Sequence, residues 1–356
     1  MTSNSLAARI PKVHLHCHLE GCLRPGTFVE LADRHGISLR YHPKKTAADA
    51  AFVDEPAEPV DRSDPYRFKD FEEFLLIFAA VSRSLHEPED YARLAREFVE
   101  DALAQGVIYG ELFVSPSVWT FFNPELDVRE TMEAIVDQLR AARPHASFGL
   151  LPDLTRNFGT RSAMETARAM ATMIDLDVIG VSLGGDEIRF PAGLFVDAFA
   201  YARSEGLHRV AHAGEAAGAT SVRDAVEQLG AERIGHGIRA LDDPEVVELL
   251  VARRVPVEIC PTSNRLTGSE LPGHRHPYID LDRKGCVVTI DGDDPTIFHT
   301  SIGQEYALVE EVAGAEALER YVRNAIRASF AAPEAKRAME EQVTAAVAEL
   351  RAAPRS

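Results

Sequence analysis

Short apolar runs recur along this chain at intervals filled by amphipathic helical stretches, and no other feature restricts its fold so strongly. Eight runs stand out: Val13 to His18, Val107 to Ser115, Ser147 to Asp153, Val178 to Leu183, Leu207 to His212, Arg233 to His236, Val255 to Cys260 and Cys286 to Asp291. The stretches between them repeat apolar residues at helical spacing, as in Asp90 to Gln105, Val128 to Ala142, Met164 to Ile174, Phe195 to Ser204 and Pro244 to Ala252. Strand and helix in alternation imply parallel strands, because each helix is the crossover that carries the chain back along the sheet. Eight such units close a (β/α)8 barrel. No linker rich in Pro, Gly or Ser breaks the alternation, so residues 1–356 read as one domain with a long first connection and a helical tail after Ile302.

The first connection, Glu20 to Gly106, has two parts. Thr46 to Asp64 is rich in Asp, Glu, Pro and Ala without periodicity, and it reads as a mobile surface loop without function of its own. Tyr66 to Leu85 places Phe68, Phe71, Phe74, Leu75 and Phe78 on one face of a helix. That face serves either as core packing or as an apolar lid beside the barrel mouth, since βα connections sit at the end where such barrels work.

Composition narrows the partners. With 46% hydrophobic residues in a chain of 356, a sizeable core is available, and disorder or a collagen-like repeat is excluded. The formal charge of −18 repels phosphate backbones and anionic lipid, so the expected partner is a small molecule, not a nucleic acid or a membrane. Cys17, Cys22, Cys260 and Cys286 are scattered without a CxxC, the first ten residues lack an apolar leader, and no run reaches membrane length. A cytoplasmic protein with reduced thiols is expected.

The chemistry concentrates where strands end. His14, His16 and His18 follow one another at period two with Glu20 next, so strand parity places the histidines inside the barrel and Val13, Leu15, Cys17 and Leu19 outside. His212 ends a strand before Ala213, Gly214 and Glu215; His236 tips a short strand; Asp291, Asp293 and Asp294 follow the last apolar run. Alone, Asp293 and Asp294 read equally as a helix cap or turn. Together these residues converge on the C-terminal mouth of the barrel. A His and Asp set without Cys suits zinc in an open catalytic site, where bound water ionises near pH 7, and Glu215 stands free for proton transfer. Two-metal barrels commonly bridge their ions with a modified lysine, but Lys12, Lys44, Lys45, Lys69, Lys284 and Lys336 all lie away from strand C-termini. One metal is expected.

The motifs PKVHLHCHLEG, SLGGDE, HAGE, RIGHG, CPTSN and DGDDP, in this order over nearly the whole chain, resemble the successive signatures of the adenosine deaminase family. The resemblance implies a (β/α)8 barrel with one zinc that hydrolyses the 6-amino group of a purine to a 6-oxo group and releases ammonia. It implies His16, His18, His212 and Asp293 as zinc ligands and Glu215 as the proton donor to purine N1. By the same resemblance His236 orients or deprotonates the attacking water, Asp294 positions that water and bonds N7, and the Gly185 backbone addresses N3.

Departures from the family pattern bear on the substrate. Adenosine-acting members usually carry Asp where this chain has Glu20, one methylene longer beside the sugar; His14 stands where Glu is frequent, and is expected inward behind the ligands. Ser182 replaces an acid and Gly184 widens the same wall, whereas CPTSN resembles the nucleoside- and aminodeoxyfutalosine-acting branches. Adenosine is ranked first, with free adenine or aminodeoxyfutalosine as alternatives. Phe71 and Phe74 of the lid are expected to contact substrate, and Trp119 and Phe121 either flank the pocket or pack beneath it. Asn264 and Arg265 follow the seventh strand, where some barrels bind phosphate. Rival readings are a phosphotriesterase- or dihydroorotase-like hydrolase, opposed by the missing bridging lysine, and a silent barrel kept as a binding module.

Overall fold

A computed structural model describes residues 5–40, 60–269 and 275–352. Most of the expected mobile loop, residues 46–59, lies outside the described residues; its remainder, 60–64, forms a tight turn closed by the Asp64 N–H on Asp61 C=O.

The eight strands are β1 (Lys12–His18), β2 (Val107–Val114), β3 (Ser147–Pro152), β4 (Gly180–Val181), β5 (His208–Ala213), β6 (Arg233–His236), β7 (Val257–Ile259) and β8 (Val288–Ile290). All pair in parallel, β1 through β3 and β4 through β8 in chain order. Single bridges join the two arcs: Leu150 to Val178 and Asp153 to Ser182 on one side, Cys17 to Asp293 on the other. The ring therefore closes. β4 and β7 are shorter than the apolar runs predicted, because their ends leave the ladder to become the loops that carry the site.

The helices between them form because their apolar faces have the strands to cover. In Val128–Ala141 the Asp127 side chain caps the first turn on Glu130 N–H, and Met132, Ile135, Val136 and Leu139 are buried. Each such side chain contributes roughly 1.5–3 kcal/mol by leaving water. The helix Phe71–Ser84 follows an Asp70 cap, and Phe74, Ile77 and Val81 face inward while Leu75 is exposed, so Leu75 does not share the predicted face.

Inside the ring, Phe113, Leu151 and Val210 form a small cluster against Ile179 and Phe330. Phe330 enters from the N-terminal end, stacked on His208 at 3.8 Å and beneath the Arg233 guanidinium at 3.9 Å. Arg233 bridges Glu111 and Glu258, both fully buried, and Glu111 also accepts the Phe330 N–H and the Tyr109 hydroxyl. Such a buried cation survives only because every carboxylate around it is paired. The four cysteines are free thiols, all buried, and no described helix is long and apolar enough to cross a membrane.

One strand breaks the predicted alternation. β1 slips register between His14 and Cys17, and the consecutive N–H groups of Leu15 and His16 both donate to Asp291 Oδ1, at 2.6 and 3.1 Å. This bulge turns His14 outward, where it lines a cavity with Phe98, Asp101 and Ile302, and its Nε2 accepts the Gly292 N–H at 3.0 Å. His14 is thus not an inward residue behind the ligands, as parity predicted.

Candidate active site

His16 and His18 leave β1 after the bulge, His212 lies near the end of β5, and Asp293 follows β8. Their ligand atoms lie within 4.8 Å of one another. The Nε2 atoms of His18 and His212 face each other at 3.2 Å, and Asp293 Oδ1 lies 3.3 Å from His16 Nε2 and 3.4 Å from His18 Nε2. Three imidazole nitrogens and a carboxylate aimed at one point, with His16 Nε2 fully buried and facing only the Asp293 carboxylate and its fellow donors, fit a cation. A second grouping, His236 with Cys260 and Asp293, fits less well, since burial pushes the Cys260 thiol up and keeps it protonated.

The backbone holds this geometry. His18 N–H donates to Asp293 C=O at 2.8 Å and Asp293 N–H to His16 C=O at 3.0 Å. Asp293 and His236 adopt φ of 64° and 61°, left-handed conformations that cost a side-chain-bearing residue roughly 1–3 kcal/mol. Ser263, just past β7, donates to Asp293 Oδ2 at 2.5 Å. Arg156 is buried and grips the His212 carbonyl at 2.8 Å.

Electrostatics divide the groups. Burial lowers His18 to about 4 and His236 to about 3, and it holds His212 well below the usual imidazole range, so all three are neutral. Burial also opposes charge on His16, but hydrogen bonds to Asp293 and Glu258 outweigh it and raise its pKa to about 10. That proton stands where two carboxylates call for a positive charge. Burial first, then Asp293 and Glu187, raises Glu215 to about 8. Burial and the neighbouring Asp293 carboxylate push Asp294 well above the usual range, and its Oδ1 has no partner.

Glu215 Oε2 lies 3.5 Å from His236 Nε2. Asn264 Nδ2 approaches His236 Nδ1 at 3.1 Å; donation there leaves the ring proton on Nε2, facing Glu215 and Asp293. Glu187 accepts the N–H groups of Gly214, Glu215, Ala216 and Ala217, which fixes the loop carrying Glu215. Gly21 is required, because a Cβ there would lie 2.1 Å from Asp294 Oδ1.

Around the centre, Glu20 is buried with Oε1 held by Ser115 N–H at 2.9 Å and by the Trp119 indole at 2.6 Å, while Oε2 has no partner. Gly185 has φ +99° and abuts Asn157, so only glycine fits. The Phe78 ring stands 6.4 Å from His18, whereas Phe74 stacks on Phe298 at 4.8 Å; the side chain of Phe71 lies outside the described residues. Phe121 is exposed beside Phe158 and Trp119 is buried against Tyr91. Asn264 is turned to His236. Reading the sequence for motifs passed over Arg156, Glu258 and the grip of Glu187, although Glu187 closes the SLGGDE motif.

The fold, the neutral imidazoles and the carboxylates define a metal-dependent hydrolase of the amidohydrolase type. The adenosine deaminase family profile matches residues 11–346, and this chain belongs to that family of hydrolytic deaminases. It is 35% identical over 336 residues to an aminodeoxyfutalosine deaminase of Streptomyces avermitilis, covering 92% of this chain and 88% of the relative. It is 32% identical over 339 residues to an adenosine deaminase of Shewanella loihica, covering 93% and 97%. Among solved structures it resembles an adenine deaminase from Arthrobacter aurescens, with TM-score 0.84, 27% identity and coverage of 95% and 99%. It also resembles an amidohydrolase from Burkhoderia ambifaria with bound zinc, with TM-score 0.83, 26% identity and coverage of 98% and 95%.

Proposed function

We propose that this chain is one catalytic unit that uses a single zinc to hydrolyse a 6-aminopurine, with adenosine as substrate and inosine and ammonia as products. The observation that carries the reading is the convergence of His16, His18, His212 and Asp293 on one point beside Glu215 and His236. A zinc ion held there would supply Lewis acidity that eases the ionisation of water near neutral pH. The residues do the rest. His16, His18 and His212 with the Asp293 carboxylate would hold the ion, His16 giving up its Nε2 proton in exchange for it; Glu215, protonated in its buried setting, gives a proton to N1 and so makes C6 electrophilic. His236, with its Nε2 proton set by Asn264, orients the attacking water. Asp294 donates to N7 through a carboxyl kept protonated by burial, and Gly185 N–H meets N3. Phe74 and Phe78 of the helix Phe71–Ser84 keep water from the pocket.

Purified protein screened by ultraviolet absorbance against adenosine, deoxyadenosine, adenine and aminodeoxyfutalosine tests this. Turnover of adenosine is the expected result. Inertness toward all four with zinc bound would leave the barrel as a binding module. Free adenine is the second reading, because buried Glu20 is one methylene longer than the Asp that adenosine-acting members usually carry there.

Glu20→Asp separates these two. It opens about one methylene and is expected to change the ratio of kcat/KM for adenosine over adenine by roughly 10- to 200-fold, toward adenosine if the native enzyme prefers adenine. An unchanged ratio would transfer the choice of substrate to the helix Phe71–Ser84.

The acid form of Glu215 is the active one, and its pKa stands near 8. Activity is therefore present below that value and lost as pH rises through it. Profiles of kcat/KM between about pH 6 and 10 should show a descending limb that disappears in Glu215→Gln.

A further inference from the structure

An imidazole offers a metal one lone pair and keeps its ring oriented by donating the other N–H to a fixed acceptor. His16 does so through Glu258, 3.0 Å from Nδ1. His18 and His212 have no carboxylate of their own at that distance. The Nδ1 of His212 faces the Ser182 hydroxyl at 3.5 Å, and the Nδ1 of His18 is buried without a partner.

Asp153 stands between these two nitrogens. Its Oδ2 accepts the Ser115 hydroxyl at 3.5 Å and lies 3.8 Å from His18 Nδ1, just beyond hydrogen-bonding range, while the Ser182 hydroxyl favours its charged form. The ends of β3 and β4 are bridged at this pair, Asp153 to Ser182. Asp153 is buried, yet its Oδ1 lacks a partner, which costs stability unless the carboxylate serves something nearby. The wall opposite is cut back to make room: a Cβ at Gly184 would lie 3.2 Å from both carboxylate oxygens.

We infer that Asp153 is a positioning residue of the metal centre, orienting His212 through Ser182 and His18 by its charge 3.8 Å from Nδ1, so that one carboxylate serves two ligand rings. The proton order is His212 Nδ1–H to Ser182 Oγ, and Ser182 O–H to Asp153; this leaves His212 Nε2 free to bind. The inference rests on the metal-centre reading above.

Zinc affinity of the native chain and its variants, measured by competition with a chromophoric chelator, tests it. Asp153→Ala is expected to weaken zinc binding about 10- to 100-fold, and adding Ser182→Asp, which puts a carboxylate directly beside His212 Nδ1, to recover about tenfold of that. Should Asp153→Ala fail to fold by circular dichroism, Ser182→Ala interrupts the same link and is expected to weaken zinc about tenfold. Native zinc affinity in either single variant overturns the inference, as does a double variant no better than Asp153→Ala. A raised KM for substrate with unchanged zinc affinity overturns it too, making Asp153 a substrate contact. If the native chain itself takes up no zinc, the metal-centre reading fails first.

Discussion

His212→Ala is expected to yield a folded protein without zinc and with activity at least about 10³-fold below native, a loss of roughly 4 kcal/mol in transition-state stabilisation. The alanine removes one of four converging donors and leaves His18 Nε2 without its 3.2 Å neighbour. Metal analysis and turnover should fall together. His14→Ala is the control: its ring faces the cavity outside the barrel, so zinc content should stay native while some stability is lost with the bond from Gly292 N–H. Full zinc occupancy in the His212 variant would sink the ligand assignment.

Glu215→Gln is expected to lower turnover by at least about 10²-fold with zinc content unchanged. The amide keeps the shape but has no proton to transfer to N1. Because Glu187 holds the loop through four backbone N–H groups, the substitution removes a proton and not a structure. Near-native turnover would refute the donor role, and loss of metal would make Glu215 a ligand.

What the sequence made legible depended on the range of the interaction. All eight strands were placed from local apolar runs, and Arg233 to His236 matched to the residue. His16, His18, His212 and Asp293 lie close to strand ends, which apolar runs locate, but it was the family resemblance that singled out these four as ligands; the fold brings their ligand atoms within 4.8 Å of one another. His14 was misplaced because parity assumes a regular ladder, and the bulge at Leu15 and His16 depends on Asp291, at the far end of the chain. The link of Arg233 to Glu111 and Glu258 joins strands through the barrel interior, so no local pattern announces it. Leu75 was assigned inward by spacing alone, yet the helix Phe71–Ser84 buries a narrower stripe.

The bridge between Cys17 and Asp293 joins the first strand made to the segment just past the last. On the ribosome β1 emerges early and waits with one edge unpaired until β8 follows, since strands so distant in sequence cannot meet sooner. His16 and His18 therefore lack Asp293, the fourth of the proposed ligands, in any nascent chain that stops before it. With the proposed ligands split between β1 and the end of β8, metal uptake would wait for the last strand of the ring, and chains arrested short of β8 present an open strand edge to their neighbours. Phe330 comes later still, so its entry beneath Arg233 seals the lower end of the ring only after the ligands above it are assembled.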